Sequence, residues 1–172
     1  NHTRGFLKEL FKKFLITRAK GFIAFGHQSK AYIKSFGFTD ASFLDSMSAV
    51  VDDKVIVKEF ELAKKKFNNF EEIKTGKNFI FVGRLVAVKN IELLLKSFQS
   101  FKESNPEWGL IMVGSGPDLT LIHDLKKTVN DIYHYEAVSW REVPAFYTKA
   151  QAIILCSFSE AWGLVVNEAM LC

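Results

Sequence analysis

The apolar positions of this chain change period several times, and each change marks an element. Phe6, Leu10 and Phe14 interleave with Leu7, Phe11 and Leu15 in one stripe, with lysines elsewhere, which predicts an amphipathic helix over 6–15. Such a helix ordinarily packs on a sheet of its own unit. Residues 21–26 form a short apolar run between glycines and read as a strand. A helix over 29–36 ends at Gly37, and 48–51 reads as another short strand. Asp52-Asp53 then reads as a turn opening a polar, lysine-rich segment. In 53–77 only Phe60, Leu62, Ala63 and Phe67 give weak helical spacing, so this segment is expected to be a linker.

From residue 78 the alternation is regular. Apolar runs at 79–82, 110–113, 132–138 and 152–156 read as strands, the third less apolar and nearer an edge. Helices are expected over 91–103, 119–129, 141–149 and 164–171. Asn90 is placed to cap the first of them, Ile91, Leu94, Leu95 and Phe98 form its core stripe, and Pro117 and Pro144 sit near helix starts. Apolar strands alternating with helices predict an α/β fold: a parallel sheet with helices on both faces. Right-handed crossovers and the common doubly wound order 3-2-1-4 put the first and fourth strands side by side. Gly83-Arg84 and Ser159-Glu160 then face one crevice at the carboxyl ends of the strands.

The chain has 172 residues, 48% apolar and 24% charged, with 17 Phe, so it can bury a core. No apolar run approaches a membrane span. Cys156 and Cys172 have no metal-binding spacing. Cys156 lies in a predicted buried strand, which fits a reduced thiol and a cytoplasmic setting. The sequence opens on Asn1 and stops inside a predicted helix, so it is expected to be a fragment. The net charge of +4 is uneven: residues 1–38 hold Arg4, Lys8, Lys12, Lys13, Arg18, Lys20, Lys30 and Lys34 against Glu9. That excess fits an anionic partner, including peripheral contact with an inner membrane face. It lacks a recognised nucleic-acid module, so no nucleic acid is expected.

Candidate chemistry concentrates in 157–170. Glu160 follows the fourth strand, Gly163 allows close approach to the backbone, and Glu168 lies eight positions further on in the helix. A helix start favours an anion, whereas a carboxylate one turn in suits hydroxyl groups. A plain strand–turn–helix fits the same residues. Arg84 and Lys89, past the first strand, suit a diphosphate. Gly114-Ser-Gly116 is a two-glycine turn, with Leu119 where a third glycine would complete a dinucleotide fingerprint, and no phosphate-loop motif occurs. Trp140 and Arg141 could stack on a base. His27 could reach a cleft. No histidine pair has metal-ligand spacing and there is no Asp-x-Asp, so no metal is expected.

Three strings resemble one family. Ser157-Phe-Ser-Glu-Ala-Trp-Gly-Leu-Val-Val-Asn-Glu-Ala-Met170 looks like the Glu-x7-Glu signature of the retaining GT-B glycosyltransferases of the "glycosyl transferases group 1" type. Phe81-Val-Gly-Arg-Leu-Val-Ala-Val-Lys-Asn90 is similar to their phosphate segment, and Val113-Gly-Ser-Gly-Pro117 to their V-G-x-G-P turn. Ala161 departs from the proline or glycine often seen after the first glutamate. The resemblance implies a GT-B-type Rossmann-like sheet: 78–172 as a truncated nucleotide-sugar domain, 53–77 as linker, and 1–52 as the end of an acceptor domain. It implies sugar transfer with retention from a nucleotide-diphospho-sugar to a polysaccharide or glycolipid-type acceptor, without metal or other cofactor. Arg84 and Lys89 would hold the diphosphate, with Gly83, Gly116 and the backbone at Gly163 and Leu164 nearby. Glu160 would meet the donor sugar, Glu168 the ribose, and the backbone near Ser139 and Trp140 the base. The fragment alone is expected to be inactive; the alternatives are a non-catalytic nucleotide-sugar module and a basic α/β domain docking on an anionic membrane surface.

Overall fold

Helical spacing at the start of the chain is realised as α1, His2–Arg18, followed by α2, Gly26–Lys34, and a short 3-10 turn, Asp40–Ser42. The computed structural model describes residues 2–24, 26–44, 52–66, 72–73, 76–160 and 162–172, with the side chains of 2–7 and 66 left aside. The chain divides into two units, residues 1–49 and 50–172.

In the first unit the predicted strand over 21–26 keeps, among its described residues, one bridge, Phe22 to Phe43. Phe22 is used for ring packing, 4.6 Å from Phe38 and 5.8 Å from Phe43. The expected strand at 48–51 lies outside the described residues. The stripe of α1 does not find the sheet expected for it: Leu10, Phe11, Phe14 and Leu15 all stay about half exposed. The reason is local, because the described residues of this unit form no ladder on which a helix could lie.

The second unit opens with α3, Asp53–Lys66, where a linker was expected. Ile56, Phe60 and Ala63, spaced four and three apart, make one buried face, and the lysines take the other. Asp52 is a helix cap and not a free turn, its Oδ1 accepting from Val55 N–H at 3.2 Å. The remaining elements are β1 Lys77–Val82, α4 Ile91–Ser104, β2 Trp108–Val113, α5 Leu119–Leu125, β3 Ile132–Tyr135, α6 Val143–Tyr147, β4 Ala152–Ile153 and α7 Leu164–Met170. The sheet is parallel in the order β3-β2-β1-β4, as expected.

Period-two alternation divides the core. Phe81, Leu110 and Met112 point to the face covered by Ile91, Leu94, Leu95 and Phe98 of α4 and Ile122 of α5. Ile80, Ile111 and Val113 point to the face covered by Phe60 and Ala63 of α3 and Val143, Ala145 and Phe146 of α6. Trp108 stacks on Phe79 at 4.5 Å, a packing role. Four expectations shrink: α5 stops at Leu125, β3 at Tyr135, α6 keeps Val143–Tyr147 and β4 keeps two residues. Asn90 sits at the start of α4 without capping it through its side chain. It is left-handed, φ 55° and ψ 44°, and its contribution is a change of chain direction.

Candidate nucleotide-sugar crevice

Four loops leave the carboxyl ends of the strands, and two of them touch through their backbones. Gly83 N–H donates to Val113 O at 3.0 Å, Leu85 N–H to Ser115 O at 3.0 Å, and Asp118 N–H to Leu85 O at 3.1 Å. The approach is too close for side chains. A Cβ on Gly114 would lie 1.9 Å from Gly83 O, and one on Gly116 would lie 2.2 Å from Leu85 O. Gly116, read as a ligand-side glycine, therefore has a packing reason of its own. Leu85 is fully buried and fixes this loop in the core, leaving Arg84 exposed at its edge. Gly83 and Arg84, with Gly114, Ser115 and Val138, line a cleft of about 220 Å³. The Gly114-Ser115 turn is braced by β3 and the residue after it: His134 Nε2 lies 2.8 Å from Gly114 O, and Ser115 Oγ donates to Glu136 at 2.6 Å.

The loop after β1 also meets the loop after β4, and this brings Lys89 and Glu160 together. Lys89 Nζ forms an ion pair with Glu160 Oε2, the side chains only 16% and 28% exposed. Ser157 Oγ donates to the same oxygen at 3.0 Å. Lys89, then Ser157 and the lysine charge, hold the Glu160 carboxyl below the usual range despite some burial. The predicted meeting of the β1 and β4 loops is thus real, but it joins Lys89 to Glu160 while Arg84 lies on the neighbouring cleft.

Gly163, buried and left-handed at φ 71°, precedes α7, and Leu164 is its first residue. A Cβ at Gly163 would come within 3.4 Å of Glu160 Cγ, so this glycine also lets the loop fold back on its carboxylate. Trp140 is 46% exposed, with the Arg141 guanidinium 5.2 Å from its ring centre. Glu168 is half-buried on α7, its carboxyl raised by burial. Its charge is felt by Tyr147 and Cys172, and among the described residues no ion pair reaches it. His27 lies exposed on α2, within the first unit. Among the described residues no group of three His, Cys, Asp or Glu is placed to hold a metal. The sequence reading missed Ser157 and the role of Cys156. Only the three-residue spacing of Ser157 to Glu160 could have pointed to the former.

The two carboxylates titrate in opposite senses. Glu160, with a depressed folded pKa, stabilises above its ordinary value, and that contribution is lost as pH falls through the folded value. Glu168, with a raised one, costs stability once pH rises through the ordinary and then the folded value. Thermal unfolding should therefore show Glu160→Gln less stable and Glu168→Gln more stable than the parent at pH 7.5, both differences shrinking toward pH 3. The same sign for both variants at pH 7.5 contradicts the assignment.

A parallel sheet in the order β3-β2-β1-β4, with a cation–carboxylate pair and a glycine-lined cleft at its carboxyl edge, defines a Rossmann-like, GT-B-type α/β unit. The chain belongs to the family of glycosyl transferases group 1, whose model matches residues 63–172. Among solved structures it is similar to TarM, at 17% identity and TM-score 0.66, covering 93% of this chain and 30% of that one. HepE from Anabaena in complex with UDP-glucose matches at 17% identity and TM-score 0.64, covering 90% of this chain and 43% of that one. WaaG, a glycosyltransferase involved in lipopolysaccharide biosynthesis, matches at 17% identity and TM-score 0.63, covering 87% and 41%. The chain therefore spans less than half the length of these proteins. Compared with curated protein sequences, it has no match.

Proposed function

We propose that these residues form the donor half of a glycosyltransferase that, at the length of its structural relatives, moves a sugar from a nucleotide-diphospho-sugar to a saccharide or lipid-linked acceptor. The observation carrying this reading is Lys89 held against Glu160 at the carboxyl edge of the sheet, beside the cleft that Arg84 lines. A departing diphosphate develops negative charge, and fixed cations there lower the barrier most. Arg84 and Lys89 supply that charge from the protein, so the proposed transfer needs no metal. Gly163 and Leu164 bring backbone close to the diphosphate, Glu160 takes a donor-sugar hydroxyl, Glu168 the ribose and Trp140 the base. Transfer with retention is part of the proposal. A HepE structure that resembles this chain holds UDP-glucose, which supports a donor of that class.

A thermal-shift panel of UDP-, GDP- and ADP-glucose tests the reading. One donor should raise the melting midpoint, since a ligand at a hundred times its Kd stabilises by about 2.7 kcal/mol. Arg84→Ala should remove most of that shift, and EDTA should leave it unchanged. No shift with any donor refutes the proposal. Binding without transfer by the protein at its full length favours a non-catalytic nucleotide-sugar module.

The half-exposed Leu10, Phe11, Phe14 and Leu15 of α1, flanked by Lys8, Lys12 and Lys13, favour a second reading that can coexist with the first. In it the protein is cytoplasmic and docks peripherally on the anionic inner membrane face. Among the described residues no helix is long and apolar enough to cross a membrane. Sedimentation should show binding to phosphatidylglycerol vesicles but not to phosphatidylcholine vesicles, reduced by Lys12→Glu with Lys13→Glu. Equal binding to both, or to neither, removes this reading.

A further inference from the structure

The loops that bring Lys89 to Glu160 are also joined by contacts that involve neither charge. Phe158 N–H donates to Val88 O at 2.9 Å. One residue before Ser157, Cys156 Sγ lies 3.2 Å from Lys89 O and 3.4 Å from Asn90 O, across 67 and 66 residues of sequence. The first carbonyl belongs to the last residue of the 3-10 turn Ala87–Lys89; the second belongs to left-handed Asn90, which redirects the chain into α4 and whose carbonyl also accepts from Leu94 N–H at 3.2 Å. A thiol has one proton, so Cys156 serves the two carbonyls as a shared donor. Burial pushes its pKa up, and the thiol keeps that proton at neutral pH. The backbone of Lys89 is thus held by the residue next to Ser157, which shares an acceptor oxygen with the Lys89 ammonium.

We infer that Cys156 is a positioning residue for Lys89: its thiol, donating to the Lys89 and Asn90 carbonyls, fixes the turn that aims the Lys89 ammonium at the crevice. The functional consequence rests on the reading of Lys89 as a diphosphate cation. The positioning itself does not. Cys156 also packs against the α4 side of the core. Two substitutions separate the roles, because Ser keeps a donor and loses packing, whereas Val keeps packing and loses the donor.

The readout is the rate at which acetic anhydride acylates Lys89 at pH 7.5, followed by peptide mass mapping. Glu160→Gln serves as the reference for a lysine released from its partner. Cys156→Val should raise Lys89 acylation severalfold, toward the Glu160→Gln rate, and Cys156→Ser should stay near the parent rate. If Val matches the parent, or Ser is as reactive as Val, the inference is overturned and Cys156 only fills space. Should Cys156→Val fail to fold, Asn90→Ala takes its place. It strains the left-handed turn and should expose Lys89, whereas Asn90→Gly should not; equal rates for the two overturn the inference. Repeating the parent measurement with UDP-, GDP- and ADP-glucose addresses the donor reading separately. Protection of Lys89 by one of them supports it, and protection by none refutes it without altering the comparison of Val with Ser.

Discussion

Gly114→Ala and Gly116→Ala should each leave the 50–172 unit unfolded or less stable by about 3 kcal/mol or more, the upper end of overpacking costs. The added Cβ atoms meet Gly83 O at 1.9 Å and Leu85 O at 2.2 Å, and backbone cannot rotate away as a flexible side chain can. Both glycines also adopt positive φ, 150° and 156°, which an alanine resists. Relief would require the 83–85 loop to part from the 114–116 loop, breaking the Leu85–Ser115 and Asp118–Leu85 hydrogen bonds and lifting buried Leu85. Gly76→Ala is the control, because nothing lies within 4 Å of its added Cβ. Urea denaturation decides the matter: midpoints for the Gly114 and Gly116 variants equal to that of Gly76→Ala would show that the loops have room.

The second large effect is functional. In the protein at its full length, Lys89→Ala should slow sugar transfer about 10²- to 10³-fold, the usual result of removing one preorganised donor from developing negative charge. Part of that loss is indirect. Without Lys89 the Glu160 carboxylate keeps its charge beside the proposed diphosphate site and would repel the donor there. Adding Glu160→Gln to Lys89→Ala should therefore recover some donor affinity. Across the double-mutant cycle the coupling should fall within the 0.5–3 kcal/mol range of contacting pairs. Lys89→Arg should rescue only partly, since a planar fork does not replace a compact ammonium in a half-buried pair. Strictly additive donor affinities for the two changes would show that the pair is incidental.

Much of the fold was legible from periodicity. Ile91, Leu94, Leu95 and Phe98 proved to be the buried stripe of α4, and the strand order was the expected one. The failures have identifiable causes. The helix Asp53–Lys66 was read as a linker because its lysines outweighed the Ile56–Phe60–Ala63 spacing, which carries the same information as the stripe of α4. Asn90 has the composition of a cap, yet its left-handed backbone depends on where the chain must go next. Gly116 reads in isolation as a tight turn before Pro117 and gains a ligand role only from the family resemblance, while the Leu85 carbonyl that excludes its side chain lies far away in sequence.

What the sequence determined by itself was the alternation of buried runs and amphipathic helices. With right-handed crossovers, that alternation leaves little choice about strand order or about which strand ends share an edge. The three family strings fall on that edge for the same reason. Only the tertiary structure decided which groups meet there. Lys89 reaches Glu160 across 71 residues, Arg84 turns to the neighbouring cleft, and Cys156 holds the Lys89 turn. Such contacts depend on loop backbones set by single left-handed residues and by backbone approaches closer than any side chain allows. No local pattern of hydrophobic and polar residues encodes those distances.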